Sequence, residues 1–129
     1  MSETGAPRST LLQNLDVLLV EDDAIIAMMV EEVLADLGAA SVRHAGRIAD
    51  ALALLAVRNP HVAVIDVNVS GSTGFELAAR LEESGIPFVF TTGYTRDMIP
   101  ARWRGRPFVP KPIESAGLAQ ALQAALAPA

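Results

Sequence analysis

The chain has 129 residues, 51% hydrophobic and 19% charged, enough apolar content for one folded domain and too much for a disordered chain. Its 15 acidic and 10 basic residues leave a formal charge of -5, which argues against a general nucleic-acid binder. Cysteine is absent, which excludes disulfides, thiolate metal sites and thiol nucleophiles, and no apolar run approaches a membrane span.

The N-terminal stretch MSETGAPRSTLLQN lacks the basic start and apolar block of a secretory signal. It reads as a flexible lead-in over residues 1–13, ahead of one domain over residues 14–129, and a soluble cytoplasmic protein is expected. Asp16 to Val20 (DVLLV) has the pattern of a buried strand. Ile26, Met29, Val30, Val33, Leu34 and Leu37 follow at helical spacing, with Gly38 placed to cap the C-terminus. Met28 and Met29 are expected to pack within that helix. Ser41 to Ala45 forms a short second strand, and Arg47 to Arg58 a second helix with Ile48, Ala51, Leu52 and Leu55 inward, stopped by Asn59-Pro60. Val62 to Asp66 (VAVID) is β-branched and almost unbroken, as in a strand buried on both faces, yet it ends on a carboxylate. A third helix spans Phe75 to Glu83, a fourth strand Phe88 to Thr91, and a weak helix Thr95 to Trp103, broken by Pro100. Phe108-Val109 is a brief fifth strand, and Ser115 to Leu126 a last, alanine-rich helix.

Strands alternating with helices imply a parallel sheet covered on both faces, because parallel neighbours need crossover connections. Such sheets bind ligands beyond the carboxyl ends of their strands. Here those ends carry Glu21-Asp22-Asp23, Asp66, Thr92-Gly93 and Lys111-Pro112. Clustered carboxylates repel one another unless a cation is present, and a hard ion such as Mg²⁺ suits them. Thr92 can donate to an anion and Lys111 can neutralise one, a set that fits a phosphoryl group carried on Asp66. Asp23 reads as a helix-start residue, where an acid favours the dipole. His44 and His61 have no metal-ligand partners at suitable spacing and are expected to be exposed or satisfied. Arg96, Arg102, Arg104 and Arg106 around Trp103 read as a solvated loop or a protein-contact surface.

In order and spacing, Val20-Glu21-Asp22-Asp23, Ile65-Asp66, Gly74, Thr92-Gly93 and Lys111-Pro112 resemble the receiver domain of two-component response regulators, CheY-like, from about Leu15 to about Leu126. The resemblance implies a flavodoxin-like, doubly wound α/β fold: five parallel strands in the order 2-1-3-4-5 with five helices. It further implies that Asp66 accepts the phosphoryl group and that Glu21, Asp22, Asp66 and the backbone carbonyl of Asn68 hold Mg²⁺. Thr92 would be the switch hydroxyl, Lys111 the phosphate partner with a cis bond to Pro112, and Phe108 the switching aromatic. The implied role is a phosphoacceptor signalling module that catalyses only its own phosphorylation and dephosphorylation, with a histidine kinase or histidine phosphotransfer protein as donor.

Many receivers carry proline four residues after the aspartate, where this chain has Ser70. Phe90-Thr91-Thr92-Gly93-Tyr94 is similar to the Phe-Ala-Thr-Gly-Tyr-like signature of an alphaproteobacterial subgroup linked to general stress signalling. A stand-alone receiver would act through partner proteins, for which the surface of Tyr94, Trp103 and Phe108 is the expected contact, with neither nucleic acid nor membrane involved. A haloacid-dehalogenase-like phosphatase also uses a strand-end aspartate but wants an acid two residues on, where this chain has Asn68. A degenerate receiver that binds partners without phosphorylation is the third reading.

Overall fold

The computed structural model describes residues 10–93 and 98–127. Strand β1 (Asp16–Val20) leads to α1 (Ala24–Asp36), β2 (Ser41–Ala45), α2 (Ile48–Val57) and β3 (Val62–Asp66). A small antiparallel hairpin of β4 (Asn68–Val69) and β5 (Ser72–Thr73) precedes α3 (Phe75–Glu83) and β6 (Phe88–Thr92). A 3-10 turn (Ala101–Trp103), β7 (Phe108–Pro110) and α4 (Ser115–Leu126) follow. The main sheet is parallel throughout, in the order β2-β1-β3-β6-β7. Counting its five strands alone, this is the expected 2-1-3-4-5 arrangement of a doubly wound, flavodoxin-like sheet.

Alternation along each strand divides the core into two layers. Leu18, Val20, Ala63, Ile65, Phe88 and Phe90 meet α2 and α3 on one face. Val17, Leu19, Val62, Val64, Val89 and Val109 meet Ala27, Val30 and Leu34 of α1 and Leu118 and Leu122 of α4 on the other. Gly38 (φ 95) and Gly85 (φ 71) take the left-handed conformation just after α1 and α3, where glycine ends a helix at least cost. Leu12 is fully buried and its N–H donates to the Leu37 carbonyl at 2.8 Å, so packing begins inside the stretch expected as a lead-in.

Three expectations are corrected. No α-helix forms over the described part of Thr95 to Trp103: Pro100 is extended (φ -54, ψ 141) and only the 3-10 turn follows it, while residues 95–97 lie outside the described residues. Met28 and Met29 are 61% and 53% exposed, because the inward stripe of α1 runs through Ala27, Val30 and Leu34. Trp103 is not a surface residue. It is buried, stacked on Phe75 at 6.2 Å and edge-on to Phe88 and Phe90 at 6.0 and 5.9 Å, an arrangement that favours aromatic pairs. Among the described arginines near it, Arg102 lies over its ring at 4.3 Å, Arg102 and Arg106 both pair with Glu82 of α3, and Arg104 donates to the Ile99 carbonyl at 2.7 Å.

At the N-terminal end of β1, Asp16 is buried and accepts a fork from Arg43 (2.7 Å from Nη2) and the Ser41 hydroxyl at 2.7 Å. Arg43 continues to the Leu54 and Arg58 carbonyls, satisfying the end of α2. His61 Nδ1 accepts the Asp16 N–H at 2.8 Å, and His44 Nε2 lies 2.8 Å from the Glu21 carbonyl, so both histidines are satisfied as expected.

Candidate functional site

Asp66 is the last residue of β3, the middle strand of the sheet, and it is buried. Its Oδ1 accepts the Asn68 N–H at 3.1 Å and its Oδ2 accepts the Lys111 ammonium at 2.8 Å. Such a carboxylate is tolerable near a core because each oxygen has a donor. Glu21, one residue past β1, is buried as well; its Oε1 lies 3.3 Å from Lys111 Nζ and its Oε2 accepts the Asp23 N–H at 3.0 Å. Asp22 is exposed, and its Oδ2 accepts the Ser70 N–H at 2.8 Å. Carboxylate oxygens of Glu21, Asp22 and Asp66 lie within 4.8 Å of one another.

The electrostatics follow from that crowding. Burial pushes the Glu21 carboxyl above its ordinary value, the Asp66 charge adds to the rise, and the Asp23 N–H and Lys111 oppose it. The Ser70 N–H holds Asp22 below the usual carboxylate range against its partial desolvation. Burial would lower Lys111, but the hydrogen bond and charge of Asp66, then Glu21, raise it above the ordinary lysine value. One ammonium thus serves two carboxylates, and the rim is left rich in hard oxygen donors, the chemistry a divalent cation such as Mg²⁺ requires.

The remaining residues are placed by the ends of β6 and β7. Thr92 is the buried last residue of β6, and its carbonyl accepts the Lys111 N–H at 2.9 Å. Thr91, register-paired with Asp66, is buried beside it. The Lys111–Pro112 peptide is cis. Phe108 is half-buried and stacks on Phe90 at 5.2 Å; Tyr94 lies outside the described residues. Asp23 caps α1 as expected, accepting from the Ile25 and Ile26 N–H groups at 2.9 and 3.1 Å. Ser70 is the contact that sequence reasoning missed; the Ser-Gly pair at 70–71 was its only signal, and it reads as a loop.

Gly74 lets α3 start directly against the aspartate: a Cβ there would stand 2.6 Å from the Asp66 carbonyl oxygen and 2.7 Å from Ile65 Cγ2. The nearer atom is backbone and cannot rotate away. Gly74→Ala is expected to cost about 2 kcal/mol in urea unfolding through overpacking. A loss under about 0.5 kcal/mol, the range of ordinary surface substitutions, would show that the strand end yields freely.

A family model described as the response regulator receiver domain matches residues 17–123. The solution structure of SdrG from Sphingomonas melonis Fr1 has a TM-score of 0.74 at 36% identity, covering 91% of this chain and 98% of that one. The BeF3-activated conformation of SdrG from Pseudomonas melonis Fr1 has a TM-score of 0.75 at 38% identity, covering 87% and 96%. The PhyR stress response regulator, with a TM-score of 0.71 at 22% identity, shares the fold; 88% of this chain is covered but only 45% of PhyR, so this chain spans less than half its length. A comparison with curated proteins finds no match. The matched stretch opens in β1 and closes in α4, and so takes in every strand end that carries the acids, Thr92 and Lys111. The chain belongs to the response regulator receiver domain family.

Proposed function

We propose that this receiver takes a phosphoryl group onto an Asp66 oxygen, with Glu21, Asp22, Asp66 and the Asn68 carbonyl holding Mg²⁺. The observation that carries the reading is Asp66 itself: a buried strand-end carboxylate with an ammonium at 2.8 Å and two further acids within 4.8 Å. When bound, the cation would supply charge neutralisation to the incoming phosphoryl group. The Asp66 oxygen attacks phosphorus, an O–P bond forms, and the P–N bond of a phosphohistidine donor breaks with its electron pair going to the imidazole. Lys111 moves its ammonium from Asp66 to the new phosphoryl oxygens, and the Thr92 hydroxyl donates to another. Asn68, which stands where a haloacid-dehalogenase-like enzyme needs an acid, gives this site no general acid or base at that position.

The donor is a histidine kinase or histidine phosphotransfer protein. Beside Lys111 the protein offers it a groove of about 370 Å³ lined by Ile26, Met29, Val33, Pro112 and Ile113. Exposed Ile25 and Met28 extend that apolar face along α1. Output runs through Thr92 and Phe108 to a downstream protein that docks beside Phe108, while buried Trp103 takes no part in that contact. The likeness of Phe90 to Tyr94 to the alphaproteobacterial signature supports a place in stress signalling.

Incubation with acetyl phosphate and Mg²⁺, followed by intact mass, is expected to show a gain of one phosphoryl group that chelation of the metal prevents. No gain under any condition would leave the non-phosphorylated, partner-binding reading. The double variant Glu21→Gln, Asp22→Asn is expected to bind Mg²⁺ at least about tenfold more weakly, yet to be no less stable without metal, because like charges are removed from a crowded rim. Calorimetric titration and thermal unfolding check both halves; unchanged affinity would remove the acid cluster as the metal site.

A further inference from the structure

Of the three acids, Asp22 alone is exposed, and its anchor comes from a distant segment. Its Oδ2 is held by the Ser70 N–H, 48 positions along the chain. Ser70 also donates its hydroxyl to the Gly46 carbonyl at 3.3 Å, so one residue ties the β4–β5 hairpin to the turns after β1 and β2. It reaches both because Ser70 (φ 51) and Gly71 (φ 83) are consecutive left-handed residues, the requirement of a tight two-residue hairpin turn. Asn68 pairs with Thr73 and Val69 with Ser72 across that turn. Glycine adopts such angles freely, whereas serine does so at a cost. The strained residue is the one whose amide meets Asp22, and strain of this kind persists only where the surroundings impose it. A carboxylate on an open turn otherwise samples several rotamers, which a bound cation would have to freeze.

We propose that the β4–β5 hairpin is a strap that presets Asp22 for the cation, with Ser70 as a positioning residue acting through its left-handed backbone rather than its hydroxyl. This rests on the metal reading of the acid cluster.

A series at position 70 separates backbone from side chain. Ser70→Gly and Ser70→Asn keep the N–H and accept positive φ; Ser70→Val keeps the N–H but its branched side chain resists that φ. Ser70→Pro has neither the N–H nor the angle. In Mg²⁺ titrations of the full chain, the glycine and asparagine variants are expected within about twofold of wild type, and valine and proline weaker by about fivefold or more. Should the proline variant not fold, valine carries the same comparison. Equal affinities across the series, or a loss in the glycine variant matching that in valine, overturn the strap. The Ser70 amide is a second readout that needs no metal: Asp22→Ala, which removes the acceptor, should speed its hydrogen exchange while amides of β3 keep wild-type rates, and an unchanged rate also overturns it. A wild type that takes up no Mg²⁺ defeats the metal reading itself, whereas a wild type that binds with a flat series defeats only the strap.

Discussion

Asp66→Asn is expected to abolish the mass gain from acetyl phosphate completely while leaving the fold intact. The amide fills the same volume, keeps an oxygen to accept from Lys111 or the Asn68 N–H, and removes one negative charge from a cluster of three. Thermal unfolding should therefore show stability equal to or above wild type. No other carboxylate among the described residues combines burial with a lysine contact and a second acid across a strand end, apart from Glu21, which Lys111 also holds. A persistent gain in the variant would move the acceptor to Glu21 or elsewhere, and peptide mapping would locate it.

The largest stability effect is expected at the opposite end of the sheet. Arg43→Met leaves the Asp16 carboxylate buried with only the Ser41 hydroxyl and the more distant Arg58, 3.5 Å away, as partners. Breaking a buried pair from one side costs about 3 kcal/mol, here moderated by Arg58. Burial would raise the Asp16 carboxyl, but Ser41, Arg43 and Arg58 together bring it below its ordinary value of 3.8. A depressed carboxylate stabilises the folded state above pH 3.8 and loses that contribution as pH falls through its folded value. The deficit of the variant should accordingly be full at neutral pH and shrink on acidification below pH 3.8. A deficit that stays constant down to pH 2 would assign the loss to the arginine stem's packing instead.

What could be read in advance was whatever is local. The runs DVLLV and VAVID declare buried parallel strands because both faces of each must be apolar, and Gly38 declares a helix end because few other residues accept its φ. Asp66, Thr92 and Lys111 stood out because a parallel sheet gathers all its strand ends on one rim. The Asp16–Arg43 pair was invisible, being a match between two strands 27 positions apart. Trp103 was misplaced for a related reason: its arginine neighbours suggest a surface, but Phe75, Phe88 and Phe90 come from other elements and form its socket only in three dimensions. Met28 and Met29 show that helical spacing leaves the width of the buried stripe open. The Ser70 turn depends on a backbone angle that serine seldom takes, so the Ser-Gly pair marked a loop and not the contact it makes.

The two outer strands of the main sheet, β2 and β7, also decide how copies of this protein can meet. An unpaired strand edge is a template onto which a neighbouring chain can add, and open sheets invite that growth. Here β7 is only three residues long and ends in exposed Pro110, which has no N–H to offer an incoming strand. β2 carries Arg43, whose charge is committed to Asp16 and the end of α2, and exposed His44, which is turned to Glu21. Neither rim is the long, flat, apolar edge that seeds fibrils. An incoming strand therefore finds no apolar template on either rim of the main sheet.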